Sequence, residues 1–80
     1  MSEQIVYTRL RSFIAKRWPR AVGDDEPLIE CGALDSLGIL ELVAYVEQEF
    51  HIQLSDEDVS PQNFRSIRSV AGFLIGKLKS

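Results

Sequence analysis

The fold turns on residues 34–50, Leu34-Asp35-Ser36-Leu37-Gly38-Ile39-Leu40-Glu41-Leu42-Val43-Ala44-Tyr45-Val46-Glu47-Gln48-Glu49-Phe50. Stepping about 100° per residue from Ser36 gathers Ile39, Leu42, Val43, Val46 and Phe50 on one side, which predicts a helix over 36–50 with that side in a core. The opposite side collects Leu37, Glu41, Ala44, Tyr45 and Gln48, with Leu40 at the margin. A purely solvated face would be mostly charged, so this mixture of apolar and acidic groups reads as a docking surface. Asp35 and Ser36 stand where the helix begins. There the first amide protons lack internal partners and the helix dipole favours an anion.

Upstream, Val6, Leu10, Phe13 and Ile14 fall at i, i+4, i+7 and i+8, a stripe that predicts a first helix from residue 3 to about residue 18. Pro19 disfavours helical geometry at Trp18 and offers no amide proton, so the helix is expected to stop there with Trp18 at the core edge. Residues 19–35 contain Pro19, Gly23, Asp24, Asp25, Pro27 and Gly32 and keep no period, as in a long loop that Leu28 and Ile29 pin to the bundle. Downstream, Ser55 with Asp58, and Ser60 with Pro61, are helix-start signals that predict a short helix between 56 and 64. Ile67, Val70, Ala71, Leu74, Ile75 and Leu78 then mark an amphipathic helix that follows Ser66. No β-alternation persists. The expected architecture is all-α: a four-helix bundle of three long helices and one short one, with a long loop between the first two, in a single domain over residues 1–80.

Eighty residues, 45% of them hydrophobic and 26% charged, suffice for one core and not for two domains or a deep self-walled cleft. The net charge of −3 leaves no basic stripe for nucleic acid. Charge is unevenly spread: Arg9, Arg11, Lys16, Arg17 and Arg20 make the first quarter basic, while residues 24–58 hold most of the acids. A single cysteine, Cys31, forms no internal disulfide, and no Cys/His cluster has metal-ligand spacing, so no metal is expected. Neither a signal-like start nor an apolar run long enough to span a bilayer is present, and a monomer in the cytoplasm is expected.

By residue type alone, Ser36 reads as an ordinary N-cap serine. Cys31 reads as a packed loop thiol, because no histidine neighbours it in sequence, and His51 reads as a helix-end residue. An independent hydrolase using Ser36 lacks a base and an orienting acid at any suggestive spacing. A bundle that binds partners through Leu37, Glu41, Ala44 and Tyr45, and is never modified, is the alternative to a chain that carries a group on Ser36.

The stretch from Leu28 to Val43, followed by Glu47-Gln48-Glu49-Phe50-His51-Ile52, resembles the acyl carrier protein family, and the similarity extends over essentially the whole chain. The resemblance implies that Ser36 receives 4'-phosphopantetheine from coenzyme A through a separate Mg²⁺-dependent phosphopantetheinyl transferase. The thiol of that arm would carry acyl groups as thioesters, and the chain itself would not be an enzyme. Asp35 would help to present the serine. Leu37 would be an exposed contact for partner enzymes, and Glu41, Glu47 and Glu49 would steer basic partner surfaces. The implied partners are the transferase, an acyl- or aminoacyl-loading ligase, and acyl-processing enzymes. The acids are fewer than in carriers dedicated to fatty acid synthesis, Gly38 stands where many of those have an acid, and Arg65 and Arg68 dilute the acidity further. A Gly-Gly-His-Ser type of motif is absent, against a peptide-synthetase thiolation domain. The cargo stays open among fatty acyl, polyketide and aminoacyl groups, with Ile39, Val43, Val46 and Leu54 as an expected apolar lining for it.

Overall fold

A computed structural model describes residues 3–18 and 22–79. They form three helices, α1 (Glu3–Arg17), α2 (Ser36–Phe50) and α3 (Ile67–Lys79). The α-periodic stripes become the core. Val6, Leu10 and Ile14 of α1, Leu42, Val46 and Phe50 of α2, and Ile67, Val70, Ala71 and Leu74 of α3 are buried together. The α1 helix packs directly on α3. Trp18 closes the last turn of α1 by donating its amide to the Ile14 carbonyl at 2.9 Å. Pro19, the expected terminator, lies outside the described residues.

The loop before α2 is tied down at both backbone and side chains. Leu28 donates its amide to the Arg65 carbonyl at 2.8 Å, and Arg68 donates its own to the Asp24 carbonyl at 2.9 Å. Arg11 grips Asp24 through two hydrogen bonds, and Arg68 grips Asp25 likewise. Leu28, Ala33 and Leu34 are buried, whereas Ile29, expected as a second pin, is exposed. A loop without a period gives no face assignment, so the pairing of Leu28 and Ile29 failed to separate the inward residue from the outward one. Gly32 has φ +91, and a Cβ there would lie 3.0 Å from the Trp18 ring. The bare Cα is thus required both by the left-handed backbone and by the tryptophan that packs on it.

Between α2 and α3 the expected short helix over 56–64 does not form; the residues make two successive turns. The start signals are real. Ser55 and Asp58 exchange hydrogen bonds, the Ser55 amide reaching Asp58 Oδ2 at 2.9 Å and the Asp58 amide reaching Ser55 Oγ at 3.3 Å. A second turn closes from the Asn63 and Phe64 amides onto the Ser60 carbonyl. Pro61 pushes Ser60 away from helical geometry, so the first turn cannot run into the second. Buried Phe64 and the Lys77–Asp58 ion pair at 2.5 Å fasten the segment to the bundle.

Asp24 is held below the usual carboxylate range, chiefly by its hydrogen bonds from Arg11, and Asp58 chiefly by that from Lys77. Both bind a proton less readily folded than unfolded. Their stabilisation is therefore present above the ordinary carboxylate pKa of about 3.9 and is lost as the pH falls through the lower folded values.

Candidate functional site

Asp35 is the N-cap of α2, in extended backbone, with its carboxylate accepting the Gly38 amide at 2.6 Å and its carbonyl accepting the Ile39 amide at 2.9 Å. The capping role open to Ser36 is thereby filled by its neighbour. Ser36 becomes the first helical residue, exposed, and its hydroxyl has no hydrogen-bond partner among the described residues. The amides of Ser36 and Leu37 have no acceptor inside the helix. A serine Oγ presented free beside unpaired amides and the positive end of a helix dipole suits an anionic substituent.

Beside Ser36 runs an open groove of about 330 Å³, walled by Ile29, Ile39, Leu40, Val59, Pro61 and Phe64. It continues across Ile29 and Pro61 into a second hollow that ends at Arg65. Of the four residues expected to line a cargo site, only Ile39 borders this groove. Val46 is fully buried in the core, and Val43 and Leu54 pack against that core. The irregular segment 59–64 supplies the far wall, and no periodicity in the sequence could have shown that. These features fit a phosphodiester-linked arm: an unengaged hydroxyl, two free amides to hold a phosphate, and an apolar trough beside them.

The expected docking residues separate into two groups. Leu37, Glu41 and Ala44 are exposed together, and Leu40, placed at the margin from the sequence, is exposed to 64% against 61% for Leu37. Tyr45 turns toward α1, its ring centroid 5.1 Å from that of Phe13 and its hydroxyl donating to the Arg9 carbonyl at 3.4 Å. Burial, with the Glu49 charge, raises the Tyr45 hydroxyl above its ordinary pKa. Glu47 folds back to accept the Leu54 amide at 2.8 Å. Arg17 was not singled out for the site in the sequence. Its guanidinium pairs with Glu41, lies 4.0 Å from Asp35 Oδ1 and sits over the Phe13 ring. The basic first quarter of the chain was visible, but not which acid each arginine would meet.

Cys31 is half-buried, with Sγ 3.5 Å from the Leu28 carbonyl, and His51 is the left-handed C-cap of α2, both as expected of structural residues. Among the described residues no His, Cys, Asp and Glu side chains are grouped to hold a metal ion, and no helix is long and apolar enough to cross a membrane.

Comparison with known proteins converges on the same serine-bearing span. The chain is 34% identical over 59 residues to aminoacyl carrier protein 2 of Bradyrhizobium diazoefficiens, a match covering 74% of this chain and 65% of that protein. It is 32% identical over 54 residues to the probable acyl carrier protein PigG of Serratia sp., covering 68% and 61%. The chain thus spans somewhat less than two thirds of the length of these relatives. Its fold matches a chain in the crystal structure of an FAD-dependent dehydrogenase with a TM-score of 0.65 at 25% identity, over 80% of this chain and 89% of that one. The family profile described as a phosphopantetheine attachment site matches residues 9–74, and the chain belongs to that family, the acyl carrier proteins.

Proposed function

We propose that Ser36 bears a 4'-phosphopantetheine arm and that the chain carries acyl or aminoacyl groups on it as thioesters, presenting them to partner enzymes without catalysing their chemistry. The observation that carries this reading is the Ser36 hydroxyl, exposed and unengaged at the first turn of α2 inside the span matched by the attachment-site family. In the attachment step Ser36 Oγ loses its proton and bonds to the pantetheine-bound phosphorus of coenzyme A, the diphosphate linkage breaks, and adenosine 3',5'-bisphosphate leaves. Asp35 fixes the first turn through Gly38 and so holds Ser36 outward. The arm's thiol is where cargo is held when the group is bound.

An aminoacyl cargo is favoured within this reading by the likeness to an aminoacyl carrier protein. A loading ligase and the transferase are the partners this requires. The fold match within the structure of an FAD-dependent dehydrogenase supports a flavin enzyme as a further partner class, since the two coverages make that chain about as long as this one. The carrier works as a cytoplasmic monomer in this proposal.

The test is mass measurement after incubation with coenzyme A, Mg²⁺ and a broad-specificity phosphopantetheinyl transferase. One phosphopantetheine on Ser36, and none on Ser36→Ala, is expected. A wild-type chain that stays unmodified would instead support the partner-binding bundle that never carries an arm.

A further inference from the structure

The two acids that flank Ser36 at the N-terminal end of α2, Asp35 and Glu41, are both engaged by the chain itself. Arg17 pairs with Glu41 and lies 4.0 Å from Asp35 Oδ1. Arg9 is 3.5 Å from Glu49, and Glu47 is spent on the Leu54 amide. Both arginines come from α1, so one helix supplies cations to two of the acids on another.

Arg17 is built into this position. Its guanidinium lies 5.8 Å from the Phe13 ring centroid, and its side chain is only 27% exposed. A Cβ on Gly38 would stand 3.1 Å from Arg17 Nη2, 3.1 Å from Asp35 Oδ1 and 3.2 Å from Leu34 Cδ2. The missing side chain at 38 and the arginine at 17 therefore form one arrangement, since any side chain at 38 would crowd the guanidinium where it now lies. A basic patch approaching Glu41 meets the like charge of Arg17 there. The large hydrophobic side chains that α2 leaves exposed lie beside them. Leu37 and Leu40, at i and i+3, are neighbours on the helix surface, and Leu40 leads into the groove whose other rim is the exposed Ile29.

We infer that Arg17 determines partner specificity by cancelling the Glu41 charge beside Ser36, so that the fitting partner is an enzyme with an apolar socket for Leu37 and Leu40 and no basic patch opposite Glu41. This rests on Ser36 being the attachment point. It turns the docking expectation around: Glu41 belongs to the chain's own ion pair, and the two leucines select the partner.

Two measurements test it. The first is kcat/KM for phosphopantetheine transfer from coenzyme A by the broad-specificity transferase. Leu37→Ser and Leu40→Ser, both at exposed positions that leave the core intact, are expected to lower it about tenfold each, as for apolar anchors of an interface. Glu41→Gln is expected to change it less than about twofold, as for an exposed charge already paired. A tenfold loss in Glu41→Gln, or leucine variants indistinguishable from wild type, overturns the inference. The second measurement titrates a lysine-rich peptide against the chain and follows the α2 amides by NMR. Arg17→Met, which keeps the stem on Phe13, is expected to respond more strongly than wild type at residues 35–44; Arg17→Gln serves if that variant does not fold. Equal responses in wild type and variant overturn the inference as well. If the wild-type chain accepts no arm at all, the Ser36 reading fails, while the peptide titration still decides whether Arg17 screens Glu41.

Discussion

At its N-terminal end α2 starts on Asp35, which caps Gly38, and turns Ser36, Leu37 and Leu40 to solvent. At its C-terminal end, fifteen helical residues on, Phe50 is buried, Glu47 clamps the Leu54 amide and His51 closes the helix in the left-handed region. Both ends mix acids with large apolar residues. One end spends them on presenting a hydroxyl, the other on fixing the next segment to the core. Residue type therefore says little about the role of an α2 side chain, and distance from Ser36 says more.

The largest effect expected from separating the ends comes from Phe50→Ala. Removing a ring that is 5% exposed costs about 3–5 kcal/mol, read by urea unfolding. Arm attachment to Ser36, measured where the variant remains folded, should stay at the wild-type rate. An attachment rate that falls with stability would show that the two ends are coupled through the helix. Glu47→Ala comes next, at about 1–2 kcal/mol, because it strips a charge-assisted acceptor from a half-buried amide. Glu49→Ala, which loses only the exposed pair with Arg9, should stay within about 0.5 kcal/mol of wild type. Equal costs for the two glutamates would remove the distinction between a clamp and a solvated acid.

The helices were legible because their burial is periodic: residues 36–50 and the stripe from Ile67 follow from spacing alone, and the structure returns both. Ser36 stands out as the candidate because a resemblance and a helix start coincide on it. What stayed hidden depends on where side chains reach. Asp35 displaced Ser36 from the capping position by one residue, a choice settled by a single carboxylate contact to Gly38. Ser55 and Asp58 do form their reciprocal pair, but Pro61 stops it from growing into a helix. The pairing of Arg17 with Glu41 spans 24 positions, and no local pattern encodes it.

Smaller effects test each end by its cap. Asp35→Ala removes the N-cap acceptor and is expected to cost about 1 kcal/mol, measured by thermal unfolding. It should also slow arm attachment by more than the unfolded fraction explains, because the first turn no longer holds Ser36 outward. Attachment at the wild-type rate would reduce Asp35 to a cap alone. The matching change at the other end, His51→Gly, should go the opposite way. His51 is exposed, with φ 54 and ψ 48, a conformation that costs an L-residue about 1–2 kcal/mol and a glycine almost nothing. Against this, glycine gives the unfolded chain more freedom to lose, about 0.5–1 kcal/mol. The balance is a gain of about 0.5 kcal/mol, or about 2–4 °C in Tm for a domain of this size. Arm attachment should be untouched, since the helix closure and the Glu47 carbonyl that receives the cap amide are backbone features that glycine keeps. A loss of stability would mean that the imidazole itself holds the C-terminal end, and that this end, like the other, depends on a side chain at its cap.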